Sequence, residues 1–242
     1  MNLYEKHVEK ELSRWHKEII KSAGLFERTS KGIQNQTQKL VPHKIQSTIT
    51  AAVEKMTQTI LFGSGMLTIK EDTSDLSLAE RDFLVQEQFQ VYMKTAIAQG
   101  VGFGAGGILL GLADLPALMG IKIKFLFDSA KLYGYDTDDQ NERLFLLYVF
   151  QLAFSSREHR MDVFRMLEKW DRSDHLPMDW EKFQIEYRDY LDIAKLLQLL
   201  PVVGSVVGGT SNYKLMNRLK INVMNCYRMR ITGRKWPENN HL

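Results

Sequence analysis

The sequence predicts an all-α protein, a single multi-helix domain over residues 1–242 that contains two glycine-rich apolar helical segments. Three observations carry this expectation. Apolar residues recur at helical spacing along most of the chain, strand-type alternation is nearly absent, and only five prolines interrupt the pattern. A hydrophobic content of 44% supports a sizeable core.

The first helix is expected over about residues 2–22, where Tyr4, Val8, Leu12, Trp15 and Ile19 form one apolar stripe and Gly24 follows as a terminator. A second run begins near Pro42, places Ile45, Ile49, Val53, Met56 and Ile60 on one face, and ends at Gly63 and Gly65. Ser77 and Glu80 have capping-box spacing and open a third helix through Phe83, Phe89, Tyr92 and Met93. Later helices are expected around 115–133, 139–154, 157–170, 179–199 and 211–231, with Gly134, Ser156 and Pro177 as punctuation.

The stretch Ala96 to Ile121 holds seven of the 16 glycines and a single ionisable residue, Asp114. Each glycine inside an exposed helix costs roughly 1 kcal/mol relative to alanine, so such density needs a compensating close approach. Gly100 with Gly104, Gly102 with Gly106, and Gly107 with Gly111 have the small-residue spacing that lets another helix pack closely, and Gly204 with Gly208 repeats it in a second apolar segment, Leu196 to Gly209. Neither segment offers a simple 20-residue span, because Asp114, Pro116 and Pro201 interrupt them; short insertions or tightly packed core helices are the two readings. Asp114 reads as a helix N-cap before Pro116, or as a carboxylate at membrane depth.

Net charge is only +3, too mild to indicate nucleic acid, but it is unevenly placed. From Ser211 to Trp236 the chain carries Lys214, Arg218, Lys220, Arg228, Arg230, Arg234 and Lys235 without one carboxylate, which predicts a basic helix at about 211–235. Lys122 and Lys124 follow the first glycine-rich segment. Basic faces beside apolar insertions predict contact with anionic lipids at the inner face of the cell membrane.

Catalytic chemistry has no sequence support. Gly102, Gly104 and Gly107 satisfy the dinucleotide spacing but follow a helical pattern rather than a strand. The acidic group Asp136, Asp138, Asp139 and Glu142 lacks the sixth and twelfth residues of a calcium loop, and helix capping by Asp138 explains it. His7, His16, His159 and His175 show no ligand spacing and are expected at the surface. Cys226 is the only cysteine, which excludes an internal disulfide and suits a packing role in a reducing compartment. The amino-terminal residues show no uninterrupted apolar core of a signal peptide. No cofactor or metal is expected.

The ordered set formed by Gly100 to Gly107, the Ala113 to Pro116 step, Tyr133-Gly134-Tyr135-Asp136 and the Pro201 to Gly209 segment resembles the EcsC protein family through most of the chain. The resemblance implies a bacterial, cytoplasmic protein without established enzymatic activity, and adds an ABC transporter as a partner, since the family takes its name from a gene accompanying one. It supplies no catalytic residues. The sequence-based reading is therefore a non-enzymatic, membrane-associated protein acting through lipid or a membrane protein. The competing reading is a soluble helical interaction module that packs a partner helix or a second copy of itself.

Overall fold

Helix α1, Leu3–Ile20, buries Val8, Leu12, Trp15 and Ile19, the stripe expected of its sequence. Its start is a reciprocal cap: Glu5 N–H donates to Asn2 Oδ1 at 2.8 Å, and Asn2 N–H donates to Glu5 Oε2 at 2.9 Å. The computed structural model describes residues 2–20, 51, 54–55, 57–60, 69, 72–103, 115–155, 157–172 and 205–236. Ile60 is buried, whereas Ile45, Ile49, Val53, Met56 and the helix expected over 179–199 lie outside the described residues.

Helix α2, Leu78–Phe103, opens on the predicted capping box, with Ser77 N–H donating to Glu80 Oε2 at 2.8 Å and Glu80 N–H to Ser77 Oγ at 3.4 Å. It turns Val85, Phe89 and Met93 inward and leaves Phe83, expected in its apolar run, 60% exposed. Helix α3, Leu115–Leu132, ends at Gly134, whose φ of 87° allows Gly134 N–H to reach Lys131 O at 2.9 Å and Tyr135 N–H to reach Ala130 O at 3.0 Å. A Cβ at Gly134 would also lie 2.9 Å from Arg81 Nη1, so the turn needs glycine for two reasons. Arg81 locks the turn by donating to the Tyr133 carbonyl and, at 2.9 Å, to the Thr73 carbonyl.

Helix α4, Gln140–Phe154, is capped by Asp139, whose Oδ1 accepts from Asn141 N–H at 3.0 Å; the cap is one residue later than Asp138, the position the sequence suggested. Helix α5, Arg157–Glu168, buries Val163, Phe164 and Leu167 and runs into a single 3-10 turn, Trp170–Arg172. Helix α6, Ser205–Thr232, packs against each of α1 to α5 and is the axis of the described part of the fold. Its buried Leu215, Met216, Leu219, Val223, Cys226 and Tyr227 join one apolar core to which α1 to α5 all contribute.

The all-α expectation needs correction in its glycine-rich part. Gly100 and Gly102 are the tail of α2, a helix that began at Leu78, and Gly208 lies in the opening turns of α6; they are ends of long mixed-polarity helices and not apolar helices of their own. Gly104, Gly106, Gly107, Gly111, Asp114 and Gly204 lie outside the described residues. Among the described residues no helix is long and apolar enough to cross a membrane.

Candidate functional site

Polar side chains inside the bundle fix how α1, α2 and α6 meet. Asp82, fully buried on α2, accepts from the Tyr133 hydroxyl, from Tyr4 OH at 2.5 Å and from Arg228 Nε at 2.9 Å. Arg228 Nη1 reaches across to Glu11 Oε2 on α1 at 2.8 Å. Burial works against the Arg228 charge, but Asp82 and the groups around it hold its guanidinium firmly protonated. Burial, followed by the Asp82 hydrogen bond, pushes the Tyr4 hydroxyl up to about 12, so it serves as a donor.

A second cluster lies in the same last turns of α6, around Arg230. Arg230 donates from Nη1 to Glu142 Oε2 at 2.8 Å and from Nη2 to Asp171 Oδ1 at 2.7 Å, while its guanidinium lies 4.0 Å from the Tyr135 ring centre and 4.3 Å from that of Phe145. Tyr227 OH completes Glu142 at 2.5 Å. On α3, Lys124 Nζ meets Asp128 Oδ1 at 2.9 Å, and Tyr92 OH donates to the same carboxylate at 2.5 Å.

Above this polar layer α1 and α6 form a trough. Its larger section, about 290 Å³, is floored by Trp15, Met224 and Asn225 and walled by Glu11, Arg14 and Glu18 on one side and Lys220 and Ile221 on the other, with Gln86 of α2 at its edge. A smaller section of about 160 Å³ continues past Trp15 to Arg160, Lys214, Asn217 and Arg218. Trp15 Nε1 donates to Asn222 Oδ1 at 3.1 Å, which fixes the indole across the seam. Taken singly the sections lie at or below the lower edge of the volume of about 300–1,000 Å³ usual for a small-molecule site, and they share Trp15, Glu18 and Ile221 along the α1–α6 seam.

These placements correct the membrane reading. Lys122 is fully buried, Lys124 is paired with Asp128 of its own helix, and Arg228 and Arg230 are ion-paired inside the fold and join α6 to its neighbours. Lys220 rests 4.5 Å above the Phe89 ring. Lys214 is exposed and Arg218 half-buried, and both line the trough. The basic helix is the central element of the bundle, and attachment of an outer basic face to the membrane loses its basis. His16 is half-buried, its ring stacked on Trp236 at 4.3 Å.

The EcsC protein family matches residues 6–232, nearly the whole chain. The chain belongs to the EcsC protein family. It is 44% identical over 221 residues to Protein EcsC of Bacillus subtilis (strain 168), covering 91% of this chain and 93% of that protein. It is 26% identical over 246 aligned positions to the uncharacterized protein YdbA of the same organism, covering 91% and 90%. No solved structure matches.

Asp82, Asp128 and Glu142 are engaged in hydrogen bonds and ion pairs that join helices. Among the described residues no group of three or more His, Cys, Asp or Glu is placed to hold a metal ion. Cys226 is buried, and burial raises its thiol far above the ordinary range, which removes the thiolate a nucleophile needs. The trough went unnoticed in the sequence because Trp15 reads as one more member of an apolar stripe. The available signal was Asn222 and Asn225, two amides set among the inward positions of α6.

Proposed function

We propose that this EcsC-family chain is a non-enzymatic helical interaction module that receives a helical segment of a polypeptide in the trough between α1 and α6. The observation that carries the reading is the lining of the trough. An apolar floor built on Trp15 and Met224 sits between charged walls, with Ile221 standing 39% exposed on the lip. Such a lining matches helix-in-groove recognition, in which apolar anchors of the incoming helix enter the groove and flanking charges set its register.

A photoreactive residue at Ile221 tests this in cells, with one at Leu3, 87% exposed at the start of α1, as control. The reading expects a cross-link to a polypeptide from Ile221 and none from Leu3. Equal cross-linking at both positions, or none at either, contradicts it. A helix of an ABC-transporter subunit is a second candidate occupant, supported by the gene association from which the family is named, and the identity of the cross-linked peptide separates it from other occupants.

A further inference from the structure

The outer face of α2 has the features that the trough lacks. Phe83 and Val91 are 60% and 56% exposed, Glu80 and Glu87 lie on the same side of the helix, and Lys94 follows there one turn beyond Val91. Monomeric surfaces normally scatter large apolar residues singly, whereas these two recur at an eight-residue interval on one helical face with a carboxylate midway between them. The trough has the opposite charge. Its lining carries five cations besides Arg228, among them Lys214 and Lys220 on the α6 wall, against Glu11 and Glu18, with Arg228 shared between Glu11 and Asp82.

The two surfaces also agree in length and adjoin one another. From Glu80 to Val91 the α2 face runs ~17 Å at the helical rise per residue, and the α6 wall from Lys214 to Arg228 runs ~21 Å. Gln86 of α2 lines the trough itself, and Phe83 lies one turn from it and Glu87 next to it in the chain. An apolar acidic face therefore borders an apolar basic groove on the same molecule, and two copies related by a two-fold axis can exchange them reciprocally.

We infer that the segment received in the trough is the α2 face of a second copy of this chain, with Phe83 and Val91 as apolar anchors and Glu87 set against the lysines of α6. This inference rests on the trough being a docking surface and adds the identity of its occupant. A reciprocal exchange makes two equivalent contacts per dimer, so one substitution acts twice.

Sedimentation equilibrium of the full chain tests it. At low salt the mass is that of a dimer, and it falls toward that of a monomer at high salt, because charge complementarity contributes to association. Phe83→Ser and Ile221→Ser each abolish the dimer while far-UV circular dichroism stays unchanged. Glu87→Lys and Lys214→Glu each weaken association by about tenfold or more through like-charge contact. Mixing the last two variants restores a dimer, since one of its two contacts then pairs the reversed charges and the other is unaltered.

A wild-type monomer at every concentration overturns the inference, as does a dimer that survives both serine substitutions or a mixture that remains monomeric. If the chain is a monomer and Ile221 cross-links to a different polypeptide, the self-association is wrong and the docking surface stands. If it is a monomer and Ile221 cross-links to nothing, both are wrong.

Discussion

Arg228 on α6 and Asp82 on α2, 146 positions apart in the chain, meet with Nε 2.9 Å from Oδ2 and with both side chains almost wholly buried. A buried charge that loses its partner is left desolvated and uncompensated. Arg228→Met and Asp82→Leu should each lower the unfolding free energy by about 3–5 kcal/mol in urea titrations. The double variant should be markedly less destabilised than the sum of the two. Additive effects would place the pair in water.

Lys122, selected in the sequence as a basic flank, has an ammonium that burial pulls from 10.5 down to about 7. Between about 7 and 10.5 the unfolded chain holds a proton that the folded lysine releases, so raising the pH through this window favours the fold. Urea titrations from pH 7 to 9.5 should show wild-type stability rising by at most about 1.4 kcal/mol per pH unit relative to Lys122→Met. Parallel pH profiles for the two proteins would mean that Lys122 stays charged in the folded state.

The α4 cap separates two adjacent aspartates. Because Asp139 Oδ1 accepts the Asn141 N–H, Asp139→Ala should cost about 1 kcal/mol. Asp138→Ala should stay within about 0.5 kcal/mol, as surface substitutions usually do. Thermal or urea unfolding of both variants gives the comparison, and a larger effect at Asp138 would move the cap back to the position read from the sequence.

Cys226 is sealed in the core, and burial raises its thiol well above the ordinary range. Its alkylation by iodoacetamide should be negligible in native buffer and rapid in denaturant, with the native rate tracking global unfolding. Fast native alkylation would require α6 to open locally around Cys226.

What the sequence made legible was local. The α1 stripe, the Ser77 and Glu80 capping box and the ends of α3 and α4 depend on residues within a few positions of one another, and each lies where periodicity or turn chemistry puts it. The charges of α6 were misread for the converse reason. A run of Lys and Arg without acid looks like an outer face, but the acids that neutralise Arg228 and Arg230 come from α1, α2, α4 and the 3-10 turn, and no local pattern contains them. The same applies to His16, whose stacking partner Trp236 lies at the far end of the chain. Trough and core share Trp15, so the apolar stripe that announced a helix concealed its use at the site.

With Arg228 and Arg230 spent on ion pairs inside the bundle, α6 is an internal axis, and the proposed trough receives polypeptide in place of lipid. Co-sedimentation of the purified full chain with vesicles of mixed phosphatidylserine and phosphatidylcholine, at low salt where a basic surface would bind most strongly, tests it most directly. The protein should remain in the supernatant at every lipid concentration. Pelleting with the vesicles that is abolished by high salt and by Lys214→Glu would contradict it and restore the basic helix as a membrane-facing element.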